Sequence, residues 1–235
     1  MMASLIQLKN VAKYYPMGEN VVKALDRINI KIEEGDFVAI MGPSGSGKST
    51  AMNLIGSLDL ATNGKIFLGS HDISKFSESE LSQIRGRKIG FIFQNFNLIS
   101  NLTAIENVML PMVFQGIEKK ERRLRAEKLL DLVDLKDRIN HYPTQLSGGQ
   151  QQRVAIARAL ANNPDIILAD EPTGNLDTRT GEQIIKYLKK LNKGGRTIII
   201  VTHELNVALK YAKTIYWLKD GQLEKVTRNK DRKNI

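Results

Sequence analysis

Residues 42–50 read GPSGSGKST and satisfy the pattern G-x-x-x-x-G-K-[ST] from Gly42 to Ser49. In a loop of this kind the backbone N–H groups converge on phosphate oxygens, and glycines permit the dihedrals that aim them inward. The expected cradle comprises Gly42, Ser44, Gly45, Ser46, Gly47, Lys48, Ser49 and Thr50. Lys48 supplies a point charge for the β- and γ-phosphates, and Ser49 offers its hydroxyl to Mg²⁺. A dinucleotide reading fails, because Gly45-Ser46-Gly47 runs into Lys48-Ser49-Thr50 rather than a third glycine. A hundred residues on, Ser147-Gly148-Gly149-Gln150 opens a helical stretch, so the chain carries a second anion-binding helix start.

Two carboxylates complete the chemistry. Asp170 and Glu171 end the apolar run Ile166–Ala169, where ligand sites form in α/β proteins. Neighbours on a strand point to opposite sides, so the pair divides the work. Asp170 is assigned to the Mg²⁺ shell, and Glu171 to orienting or deprotonating the attacking water. His203, after TIIIVT, is placed to donate to a γ-phosphate oxygen, and Gln94, after KIGFIF, to complete the Mg²⁺ or water shell.

These residues need a sheet to hold them. LDRINIKI (25–32) alternates at period 2, as a half-buried antiparallel strand does, and LIQLKNV near the start reads the same way. FVAIM (37–41) is apolar throughout, as a strand covered on both faces would be, and runs straight into the glycine loop and a helix. Apolar strands recur at 166–169, 197–201 and 214–218, separated by helical stretches such as TGEQIIKYLKKLN. Such alternation predicts a mostly parallel sheet covered by helices. The predicted single domain has an α/β core over 1–95 and 145–225 with an antiparallel β subdomain. A helical subdomain is expected at about 96–144, and a basic tail over 226–235.

Composition sets the outer bounds. The 235 residues suffice for a sizeable core, and 42% hydrophobic with 26% charged residues predicts a folded soluble protein. There is no cysteine, which excludes disulfides and thiolate metal sites. Lys and Arg outnumber Asp and Glu by 35 to 25, a net +10 that suits an anionic partner. The opening MMASLIQLKN has no apolar leader, and the longest aliphatic run, Ile198–Val201, is far short of the roughly 18 residues that cross a bilayer. Any membrane-spanning part is therefore expected on another chain. The bases of KKERRLRAEK (119–128) and of the tail (Lys225, Arg228, Lys230, Arg232, Lys233) suit solvent first and anionic lipid second.

In this order, the motifs resemble the ATP-binding subunits of ABC transporters from about Ile6 to Leu223, and Leu146-Ser147-Gly148-Gly149-Gln150 matches the family signature at every position. The resemblance implies that Tyr15 stacks on adenine, with Tyr14 as a neighbouring alternative. It makes Gln94 the Q-loop glutamine, Asp170 and Glu171 the Walker B pair, Asp177 the D-loop aspartate and His203 the switch histidine. One departure is visible: Gly174-Asn175-Leu176-Asp177 stands where the family often has Ser-Ala-Leu-Asp. The resemblance further implies a homodimer that forms head to tail on ATP binding. The signature of one copy then covers ATP and Mg²⁺ held by the glycine loop of the other.

NLIGSLD, IGFIFQNFNLISNLTAIENVMLP and ADEPTGNLD look like the ATPases of lipoprotein-releasing and macrolide-exporter systems. These imply a separate membrane permease reached through residues 95–111 and the helical subdomain, and a place at the cytoplasmic face of the membrane. The ABC ATPase that regulates cell-division wall hydrolysis is the near alternative. DNA-repair relatives insert a long coiled coil where this chain has only residues 51–145, and translation factors carry two cassettes, so no nucleic-acid partner is expected.

Overall fold

The computed structural model of the chain describes residues 4–228. Along it run β1 (Ser4–Met17), β2 (Asn20–Glu33), β3 (Phe37–Met41), α1 (Lys48–Ile55), β4 (Asn63–Leu68), β5 (His71–Asp72), α2 (Glu78–Lys88) and β6 (Ile89–Ile92). Next come α3 (Ala104–Val113), α4 (Lys119–Leu132), α5 (Gly148–Ala159), β7 (Ile166–Asp170), α6 (Thr178–Lys193), β8 (Thr197–Val201), α7 (Leu205–Tyr211), β9 (Thr214–Lys219) and β10 (Gln222–Arg228). They fall into two compact units, Gly86–Leu191 and the remainder.

The first unit, up to Arg85 and from Asn192, holds two sheets. One is antiparallel in the order β2-β1-β4-β5. The period-2 residues Ile28, Ile30 and Ile32 are its buried row, each at 2% exposure or less, because alternate side chains of a strand share a face. In the other, β3 lies parallel between β8 and β9, and β10 returns antiparallel along β9. All five residues of β3 and of β8 are buried, as an all-apolar strand requires. Tyr216 of β9 joins the two sheets: its hydroxyl accepts from the Lys31 N–H and donates to the Lys31 carbonyl.

The second unit holds the parallel pair β6–β7 with α3, α4 and α5. Val154, Ala155, Ile156 and Ala157 are all buried, and four in a row cover a full turn, so α5 is enclosed all round at this point. The described elements of 96–144 are α3, α4 and two 3₁₀ turns. Here α3 starts with a reciprocal cap between Thr103 and Glu106.

At the end of the chain the structure departs from expectation. Val226, Thr227 and Arg228 fall in the expected tail, yet they pair with Tyr216, Ile215 and Thr214. Asp220 (φ 48°) and Gly221 (φ 75°) are both left-handed, the two-residue turn that suits a tight hairpin and favours Asp-Gly. Thr227 is buried and accepts from the Trp217 indole N–H at 3.0 Å. Lys225 and Arg228 are thus strand residues. Lys230, Arg232 and Lys233 lie outside the described residues.

Candidate nucleotide site

Strand β3 delivers the glycine loop and α1 carries it away. A Cβ on Gly42 would lie 2.0 Å from the Leu218 carbonyl oxygen, and one on Gly47 2.4 Å from that of Ala24. Backbone cannot yield there, so both glycines are steric necessities. Gly45 differs: its φ is +76° and nothing lies within 4 Å of a Cβ. It is a glycine of conformation, facing open space. The Lys48 ammonium is buried and donates to the Pro43 carbonyl at 2.8 Å, drawn back under the loop.

Ser46 is 1% exposed and its hydroxyl has no protein hydrogen-bond partner. A buried polar group is normally satisfied. An orphaned hydroxyl, a buried lysine and open space over Gly45 together fit a loop shaped for an anion at the N-terminus of α1. The donor set also fits Mg²⁺ bound with phosphates. Among the described residues no three His, Cys, Asp or Glu cluster to hold a metal, and Mg²⁺ on a nucleotide needs no more than one or two carboxylates, because phosphate oxygens and water supply much of its shell. The Ser49 hydroxyl, exposed on the first turn of α1, is an oxygen donor suited to that shell.

In the same unit Tyr15 is half-buried. Its hydroxyl donates to Asp59 Oδ2 at 2.7 Å, and Lys13 Nζ stands 4.9 Å over the ring and pairs with Asp59. Burial raises the Tyr15 pKa, the bond to Asp59 raises it further, and a bond with Thr50 opposes the rise. That last contact joins Tyr15 to the cradle. Tyr14 instead donates to Asp26 at 2.6 Å. Asp59, to which no sequence motif points, fixes both Lys13 and Tyr15. Burial pushes its carboxyl up, but bonds from Lys13, Tyr15 and the Leu60 N–H outweigh burial and leave it below the usual range. His203 is exposed just beyond β8.

The second unit gathers the remaining residues. Asp170 ends β7 and Glu171 comes directly after it, both half-buried. Glu171 has φ 40°, a left-handed conformation that a glutamate adopts only where its surroundings impose it. The turn beyond it is closed by Gly174 N–H on the Glu171 carbonyl at 3.0 Å. It is also tied to α5, whose Gln152 donates to the Pro172 carbonyl at 2.7 Å. Asp177 accepts from the Thr180 N–H at 3.0 Å and so caps α6. Its carboxyl is held below the usual range, first by the Thr180 hydroxyl and then by that N–H.

Ser147 is the N-cap of α5. Its Oγ accepts from the Gln150 N–H at 3.3 Å, and its own N–H donates to Gln150 Oε1 at 2.9 Å. Ser-Gly-Gly-Gln is therefore also a capping box, legible in the sequence. A Cβ on Gly149 would strike Thr180 Cγ2 at 2.4 Å, whereas one on Gly148 meets nothing nearer than 3.5 Å. Packing within the chain explains the second glycine only. A glycine at 148 suits close approach of a ligand to an exposed helix start whose first N–H groups have no partner within the helix.

Gln94, expected at the metal, is brought against the turn after β7. Arg158, which sequence pattern also leaves unmarked, donates to the carbonyls of Phe96 (2.7 Å) and Asn97. Both of those residues have left-handed backbone, with φ 59° and 50°. Phe96 and Leu98 are half-buried and Ile99 is 40% exposed, so Ile99 is not a core residue.

A glycine loop between a buried parallel strand and a helix, with an acid pair at another strand end, defines a P-loop nucleoside-triphosphate-binding protein. A family profile described as "ABC transporter" matches residues 25–174. The chain is 55% identical over 226 residues to the ABC transporter ATP-binding protein MJ0796 of Methanocaldococcus jannaschii, covering 94% of this chain and 96% of that one. It is 49% identical over 220 residues to the macrolide export ATP-binding/permease protein MacB of Mannheimia succiniciproducens, of which it spans 34%. A dimeric structure of the MJ0796 cassette in a post-hydrolysis state with ADP and Pi superposes with a TM-score of 0.89 at 52% identity, covering 95% of this chain and 98% of that one. The chain belongs to the ABC transporter family, as an ATP-binding, ATP-hydrolysing member with the ABC ATPase fold.

Proposed function

We propose that this ATPase drives a membrane permease carried on a separate chain, of the lipoprotein-releasing and macrolide-export type, through ATP-dependent homodimerisation. The observation that carries the reading is the pair of anion devices, the glycine loop at α1 and the Ser147 start of α5 with its unexplained Gly148. The dimeric relative with ADP and Pi supports it. In the proposed dimer the Ser147 hydroxyl and the Gly148 and Gly149 N–H groups of one copy close over the nucleotide on the other copy's glycine loop. This symmetric arrangement buries two nucleotides. ATP favours closure because it gains contacts available only there.

The roles of Lys48, Ser49, Gln94, Asp170, Glu171 and His203 follow residue chemistry, and those of Tyr15 and Asp177 follow the family resemblance. Mg²⁺, when bound, neutralises phosphate charge. Ser49, Asp170 and Gln94 would hold it, and Tyr15 would offer its ring to adenine. Lys48 and His203 donate to γ-phosphate oxygens, and Asp177 joins the two copies. Glu171 takes the proton of the attacking water as its oxygen bonds to the γ-phosphorus. The bond to the bridging oxygen breaks, ADP leaves with that oxygen, and the dimer opens once phosphate is released. Among the described residues no helix is long and apolar enough to cross a membrane. The proposed place is the cytoplasmic face, with Phe96, Leu98 and the exposed Ile99 toward the permease.

The test is purification of the tagged chain from detergent-solubilised membranes of its native host. A co-purifying four-span permease with a large extracytoplasmic domain, whose presence stimulates the ATPase, is expected. A partner of another architecture sinks the subgroup, and nucleic-acid stimulation without a permease response sinks the transport reading.

A further inference from the structure

We propose that Asn175 is a positioning residue that holds Gln94 with its side-chain oxygen presented to the metal. The inference rests on the reading of Gln94 as a Mg²⁺ ligand.

Gly174-Asn175 is where this chain departs from the commoner Ser-Ala of its family, and the structure shows what the two residues do together. The Asn175 amide donates to the Gln94 carbonyl at 3.0 Å and to Asn95 Oδ1 at 2.9 Å. Its own Oδ1 faces Gln94 Nε2 at 3.5 Å, the long limit of a hydrogen bond. Gly174 supplies the room. A Cβ there would lie 2.7, 3.2 and 3.4 Å from Gln94 Nε2, Cδ and Cγ, so alanine would push the amide end of Gln94 out of its place. Gly174 is not among the residues of positive φ. Its glycine is therefore explained by space for Gln94 and not by backbone conformation.

An amide has one donor end and one acceptor end, and only the oxygen ligates Mg²⁺. With Nε2 turned to Asn175, Oε1 is the end left for a cation. Asn175 thus ties the backbone of Gln94 by a full hydrogen bond and biases its amide orientation by a longer polar contact. Arg158 secures the carbonyls of Phe96 and Asn97 independently, so loss of Asn175 frees the Gln94 end while the rest of the loop stays anchored.

The test uses the full chain with Glu171→Gln to stop turnover, ATP bound, and Mn²⁺ as the probe, titrated by electron paramagnetic resonance. Asn175→Ala is expected to weaken Mn²⁺ about three- to tenfold, the size of one or two modest hydrogen bonds. ATP affinity in EDTA is expected to stay unchanged, which a defect that disturbed the nucleotide site as a whole would not permit. Gly174→Ala keeps Asn175 but fills the slot, and is expected to weaken Mn²⁺ similarly, which serves should Asn175→Ala fold poorly. Added to Gln94→Ala, Asn175→Ala is expected to do nothing more. An unchanged Mn²⁺ affinity in Asn175→Ala beside a weakened Gln94→Ala overturns this inference alone, as does an undiminished effect in the Gln94→Ala background. If Gln94→Ala itself binds Mn²⁺ normally, the reading of Gln94 as a metal ligand fails and the inference falls with it.

Discussion

Ser147 and Gln150 cap one another: the serine oxygen takes the Gln150 N–H, and the glutamine oxygen takes the Ser147 N–H. In this chain Ser-Gly-Gly-Gln is a helix start, and the proposed contact with a nucleotide does not compete with that use. A hydroxyl that accepts from the backbone still has its own proton to give.

The two uses separate experimentally. Ser147→Ala should cost about 1 kcal/mol through the lost cap and should also abolish the ATP-induced dimer. Gln150→Ala removes only the return bond, so a smaller loss in denaturant unfolding is expected, with the dimer retained. A Ser147→Ala protein that dimerises normally would leave the serine as a cap alone.

Glu171→Gln keeps size and polarity but removes the base. Retained ATP binding, turnover lowered by about 100-fold or more, and a dimer with ATP in light scattering are expected. A monomer under those conditions contradicts the shared-nucleotide arrangement.

Two loop glycines should behave differently because they are glycine for different reasons. Gly42→Ala forces a methyl onto the Leu218 carbonyl and the Ser46 hydroxyl, so ATP binding should be lost and the melting point should fall. Gly45→Ala meets only the strain of a left-handed alanine, about 1–2 kcal/mol, and should retain weakened binding. Equal loss in both, read by fluorescent-nucleotide titration, would count against this assignment.

Acid should weaken the fold in a defined window. Asp59, Asp177, Asp26, Glu80 and Glu106 are all held below their usual range by hydrogen-bond or ionic partners. A depressed carboxylate contributes stability that is present above its unfolded value, near 4, and is lost as pH falls through the folded value. The melting temperature should be nearly level from about pH 7 to 5 and fall below about pH 4. Asp59→Asn should be less stable at neutral pH and should show a shallower acid limb. An unchanged limb would mean that Lys13 and Tyr15 do not stabilise the ionised Asp59.

Local rules made much of the chain legible in its residues. Gly42, Gly47, Lys48 and Ser49 lie within eight residues of one another directly after an apolar run, so the pattern that points to a phosphate-binding loop is readable without any distant residue. The all-apolar runs at β3, β7 and β8 announced buried strands, and the period-2 isoleucines of β2 announced an antiparallel one. Asp220-Gly221 was equally local, and only the basic residues of β10 hid the hairpin. Asn175, Arg158 and Asp59 could not be found in this way. Their importance lies in bonds to Gln94, to the carbonyls of Phe96 and Asn97, and to Tyr15, with 44 positions between Tyr15 and Asp59 and 81 between Gln94 and Asn175. Such contacts exist only after the strands are registered and the turns closed. Sequence pattern records which chemistry a segment can perform. Which side chain holds another in place is decided by packing, because only the folded chain brings their atoms within hydrogen-bond reach.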